Sequence, residues 1–98
     1  MEKKVPVDLR PALAHFVEEM ELKLRKKDHK TSWRELPVEA LIKLFDIERQ
    51  EFEVAHEFLT VAEARSELVD LANYAMIISD RLSLEPQNRR YENLWGRK

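Results

Sequence analysis

Two pairs of carboxylates, each pair spaced by three residues, mark the centre of the 98-residue sequence: Glu48 and Glu51 in "ERQE", and Glu67 and Asp70 in "ELVD". Residues three apart are neighbours on a helix surface, so each pair offers its oxygens on one face. Four carboxylates gathered without a counter-charge repel one another and push their pKa values up, and a hard divalent cation relieves that repulsion. An all-oxygen donor set favours magnesium or manganese over zinc, and magnesium shares its shell with waters and phosphate oxygens. The chemistry implied is work on a phosphorylated substrate.

For the pairs to meet, they must ride on long helices that fold back on each other. Composition favours this, because one glycine and four prolines leave little material for hairpins or glycine-rich phosphate loops. The chain reads as one all-α domain over 1–98, with three helices and an aperiodic tail over 87–98. The first helix is expected from about Leu9 to Lys27, with Asp8 as its cap and Leu9, Leu13, Phe16, Met20 and Leu24 on one face. The second runs from Pro37, whose missing N–H is harmless in a first turn, to about Phe58. In "TVAE", Thr60 and Glu63 have the spacing of a capping box, which starts a third helix near Val61 that ends near Leu84, ahead of Pro86.

The break between Phe58 and Thr60 is short enough to force an antiparallel hairpin. Glu51 and Glu67 each lie eight positions from Leu59, and Glu48 and Asp70 each lie eleven. At 1.5 Å per residue the pairs come level at ~12 and ~16 Å from the turn. On the second helix Glu39, Lys43, Asp46, Gln50, Glu53 and Glu57 form a solvent stripe. Glu48 and Glu51 fall instead in the series Leu41, Leu44, Glu48, Glu51, Ala55 and Phe58, otherwise an apolar packing seam. Carboxylates in a seam are costly without compensation, and on this helix Lys43 and Arg49 project elsewhere. The third helix confines its polar groups near the acids to Glu63, Glu67, Asp70 and Asn73, and its broad apolar circumference predicts that a second subunit packs there.

Charge and composition exclude several functions. The 17 basic and 19 acidic residues nearly cancel and alternate along the chain, which argues against a nucleic-acid polymer as partner. Without cysteine there is no disulfide framework and no thiolate metal site. No apolar run has the length of a signal peptide or a membrane span, so a soluble, cytoplasmic protein is expected.

The order E-x-x-E, gap, E-x-x-D resembles the signature of the all-α, MazG-like nucleoside triphosphate pyrophosphohydrolases. "LVDLANYAMIISDRL" is similar to a segment of small members of that family, including an asparagine three residues after the last acid, here Asn73. "HKTSWREL" resembles the loop before their first acidic helix, with Lys30 and Trp33 in a K-x-x-W spacing. The likeness covers roughly His29 to Leu82. In one departure, Ile47 stands where many members carry an acid next to the first glutamate, so the implied metal set is leaner or differently arranged. The resemblance implies magnesium-dependent hydrolysis of a nucleoside triphosphate to the monophosphate and pyrophosphate, in housekeeping of the nucleotide pool. It further implies metal ligation by Glu48, Glu51, Glu67 and Asp70, and a general base among these or Glu63. Nucleotide contacts would come from Lys30, Trp33 and Asn73, and the assembly would be a homodimer or dimer of dimers. Trp33 suits either stacking on a base or stapling the following helix to the core.

Two rivals are weighed against this. Glu53 and His56 in "EVAH" have the E-x-x-H spacing of di-iron bundles, which need a second such motif that the chain lacks. A non-catalytic helical dimerisation module explains the long amphipathic helices, but would place Leu, Ile or Ala at positions 48 and 51.

Overall fold

The structure, a computed structural model, describes residues 7–27 and 35–85. These are all-helical, with no strand among the described residues: α1 (Pro11–Lys26), α2 (Val38–Phe58) and α3 (Val61–Leu82). Leu59 and Thr60 form the whole connection between α2 and α3, so the chain reverses and the two helices pack along each other. Leu59 is extended, and its N–H still donates to the Ala55 carbonyl at 2.9 Å, closing α2. Thr60 opens α3 with the capping box expected of it. Its Oγ1 accepts the Glu63 N–H at 3.1 Å, and Glu63 Oε1 accepts the Thr60 N–H at 3.0 Å.

The helix ends differ slightly from the expected ones. Proline at a first helical position is pre-shaped for it, and α1 accordingly starts at Pro11 rather than Leu9, behind Arg10 in extended geometry; Asp8 caps nothing. Pro37 is itself the cap of α2, and its carbonyl accepts the N–H groups of Ala40 and Leu41 at 3.0 and 3.1 Å. The last turn of α3 ends at Leu82, where Leu84 and Glu85 donate to carbonyls three residues back.

The core lies between α2 and α3. Val38, Leu41 and Ala55 of α2 and Ala64, Val69 and Ile77 of α3 are buried, Leu41 fully, and Val69 is turned to α1, where it lines a cavity with Glu19, Leu22 and Lys23. The α2 seam runs differently from the expected one. Leu41 and Ala55 are buried and Leu44 and Glu48 half-buried, but Glu51 and Phe58 are exposed and Phe52 is half-buried instead. A strict seven-residue spacing drifts around a straight helix of 3.6 residues per turn, so from Leu41 the inward row passes through Glu48, Phe52 and Ala55 and leaves Glu51 at the edge.

Helix α1 packs on α3 and has no buried residue; Phe16, Met20 and Leu24 are half-buried, whereas Leu9 and Leu13 are exposed. Arg81 donates to the Leu36 carbonyl and ties the entry of α2 to the end of α3. No helix among the described residues is long and apolar enough to cross a membrane.

Candidate metal centre

Glu48 follows Leu41 by two turns and so points to the same side of α2, toward α3. On α3, Val69, Asn73 and Ile77, at steps of four, are buried, Val69 and Asn73 against α1, and Asp70 and Glu67 follow on the side of that row turned toward α2. The two helices therefore bring three carboxylates together: oxygens of Glu48, Glu67 and Asp70 all lie within 4.8 Å of one another. Glu51 is outside this trio but close enough for its charge to raise the pKa of both Glu48 and Glu67.

The electrostatics are those of crowded, partly desolvated acids. Burial, then the charges of Glu51, Asp70 and Glu67, push the Glu48 carboxyl up to about 7, and Lys27 pulls against them. Burial followed by Asp70 and Glu51 raises Glu67, with Lys23 and Lys27 opposing. The Tyr74 hydroxyl is also held above its ordinary value, first by burial and then by Glu48, Asp70 and Glu51. Glu48 Oε1 and Glu67 Oε1 are buried without a hydrogen-bond partner. Such atoms are costly, and they are the oxygens a cation would satisfy.

The donor set fits a hard dication. Opposite oxygens of an octahedral magnesium stand ~4.2 Å apart, twice the usual bond length. Three ligands of one such ion include at least two adjacent pairs ~3.0 Å apart, so the trio, whose oxygens lie within 4.8 Å of one another, would close in around a bound ion.

The cations that face this cluster come from α1 and not from α2, the helix whose own lysine and arginine project elsewhere. Lys23 Nζ donates to Asp70 Oδ2 at 3.0 Å, to Ser66 Oγ at 2.6 Å and to the Ser66 carbonyl at 3.0 Å. Lys27, one turn on, places its Nζ 3.9 Å from Asp70 Oδ1. A signal for both was present. Lys23 follows Met20 by three and precedes Lys27 by four, which sets two lysines on the same packing face as Phe16 and Met20. Asn73 supports the arrangement: it is 6% exposed, its Nδ2 donates to the Met20 carbonyl at 3.2 Å, and its Oδ1 has no partner. Beside Asp70, a cavity of about 50 Å³ is lined by Lys23, Lys27, Asn73 and Tyr74, among others. It has room for water-sized groups.

Other residues singled out from sequence fall elsewhere. Glu63 is exposed, and its Oε1 accepts from both the backbone and the hydroxyl of Thr60, which lowers its pKa; it is a helix cap and not a free base. Glu53 is paired with Arg49 at 2.7 Å, and His56 stacks on Phe52 at 5.8 Å between ring centroids, so the E-x-x-H spacing gathers no ligands. Lys30, Trp33, His29 and the 87–98 tail lie outside the described residues. No protein-family model, curated protein or solved structure matches the chain.

Proposed function

We propose that the chain hydrolyses a nucleoside triphosphate to the monophosphate and pyrophosphate, using magnesium or manganese held by Glu48, Glu67 and Asp70. The observation that supports this most is the convergence of the three carboxylates from two helices with two buried oxygens unpartnered. The MazG-like resemblance of "ERQE", "ELVD" and their flanks supplies the reaction class.

A bound divalent ion would neutralise charge on the phosphate oxygens and acidify an attacking water. The chain's own groups do the rest. Glu51, close to the trio but outside it, is free to orient that water and take its proton. Before an ion binds, Asp70 faces Lys23 and Lys27, and Asn73 fixes α1 against α3 through Met20. The base is left to residues beyond the small cavity, with Lys30 and Trp33 as the proposed contacts.

A second copy of the chain completes the assembly in this reading, as a homodimer or a dimer of dimers. An apolar groove of about 470 Å³ between α2 and α3, lined by Ile42, Phe45, Ala75, Ile78 and Leu82, is the proposed contact. Met76 on α3 is also exposed, and Ile47 and Val54 add apolar surface on another face of α2.

The exposed apolar surface also favours a second reading, a helical dimerisation module without catalysis. Screening canonical and modified nucleoside triphosphates for magnesium-dependent pyrophosphate release separates the two. Release from at least one class of nucleotide, abolished by a chelator, is expected; no release from any of them leaves the module.

A further inference from the structure

The acid cluster has a built-in competitor for any metal. An ammonium has three N–H donors, and Lys23 places acceptors at 2.6, 3.0 and 3.0 Å, two on Ser66 and one on Asp70. Lys23 thus satisfies one carboxylate of the trio and leaves Glu48 Oε1 and Glu67 Oε1 without partners. A divalent ion that reaches those two oxygens also draws on Asp70, which belongs to the same 4.8 Å group. Metal and ammonium would share one carboxylate, and since the two cations repel each other, each weakens the other's hold on Asp70.

Once Asp70 turns to the metal, Lys23 keeps its Ser66 contacts and loses its anion. A lysine head on a flexible four-carbon stem readily changes partner. It borders the small cavity with Lys27, which is itself 62% exposed, so two ammonium groups one turn apart stand at the mouth of the site. Asn73, lining the same cavity, is more than nine-tenths buried and keeps an unpartnered Oδ1, a second mark of a site built to receive something.

We propose that Lys23 is a phosphate-binding residue of this site, held on Asp70 until a divalent ion takes that carboxylate and frees the ammonium for the oxygens of a polyphosphate. The inference rests on the metal-dependent reading above. A static clamp, in which Lys23 only pins α1 to α3, is the competing explanation.

The test uses the full chain with Lys23→Met and Lys23→Gln, and with the exposed Lys26→Met as control. Gln keeps an N–H donor directed toward Ser66, one bond shorter than the lysine, and should preserve more of the α1 contact than Met. Calorimetry is run with manganese alone, and then with inorganic pyrophosphate at saturating manganese. Removing the competing charge should tighten manganese binding about tenfold and weaken pyrophosphate binding about tenfold, since one unit charge next to the ligands is lost in each case. Lys26→Met should match the parent. Manganese affinity that is unchanged or weaker in both neutral variants, or pyrophosphate binding that does not fall, overturns the proposal while leaving a metal site in place. Loss of the helical fold in both variants makes Lys23 a clamp and overturns it too. If the parent and its variants bind no manganese at all, the metal-dependent reading fails and takes this inference with it.

Discussion

Helix α2 carries the same chemical groups on two faces in different settings. On the outward stripe, Arg49 donates to Asp46 at 3.0 and 3.1 Å and to Glu53 at 2.7 Å, and Gln50 donates to Asp46 at 2.9 Å. All of these groups are exposed, and neighbours three or four residues away on one helix satisfy them. On the inward face, Glu48 has no such neighbour and keeps a buried oxygen unpartnered, as does Glu67 across the hairpin. The stripe is complete within one helix, whereas the inner acids need a third element or a ligand. Lys23 and Lys27 of α1 answer only part of that need, and they do so at Asp70.

The largest expected effect separates the two faces by activity. Glu67→Gln and Asp70→Asn should lower magnesium-dependent pyrophosphate release by more than about a hundredfold, because each removes a proposed ligand and not merely a group supporting one. Glu53→Gln, the same chemical change on the stripe, should leave the rate close to the parent's. Equal losses from both faces would mean that the inner acids have no special role.

Next in size is stability without metal. Glu48 is raised from 4.5 to about 7, and since the side chain is partly solvated, screening reduces the associated cost to about 1 kcal/mol. Glu48→Gln should therefore raise the metal-free melting midpoint at pH 8 by about 4–8 °C. A fall in the midpoint would show that the Glu48 carboxylate is satisfied in the fold.

The pH dependence has the same origin. Between about 4.5 and about 7 the folded chain binds a proton on Glu48 that the unfolded chain has released, so stability should rise as pH falls through that window. Glu67 is shifted in the same direction and adds to the trend. Denaturant midpoints at pH 5.5 and pH 8 measure it directly, and saturating magnesium should flatten the difference. At the small end, Arg49→Ala should leave the midpoint within experimental scatter, since exposed pairs contribute little.

Much of this was readable from the chain. The capping box at Thr60 and Glu63 set the start of α3, and the two-residue break fixed the hairpin, which brings Glu48 level with Asp70. Both are local signals, spelled out by adjacent residues. The position of Glu51 was misjudged because a seven-residue spacing and a 3.6-residue helix agree at Leu41 and Glu48 and part company one turn later. The lysines of α1 were missed for a different reason. Their contact with Asp70 spans 47 positions for Lys23, and a tertiary contact of that reach leaves only a faint trace, a lysine set into an otherwise apolar face.

Whether Glu48, Glu67 and Asp70 together hold a divalent cation is read from the melting midpoint with and without magnesium for the parent chain beside Glu67→Gln. A ligand bound only by the folded state raises the midpoint. The parent should melt several degrees higher in magnesium, and Glu67→Gln should lose most of that rise while remaining helical. A parent midpoint that magnesium does not move, or an equal rise in Glu67→Gln, would contradict the claim.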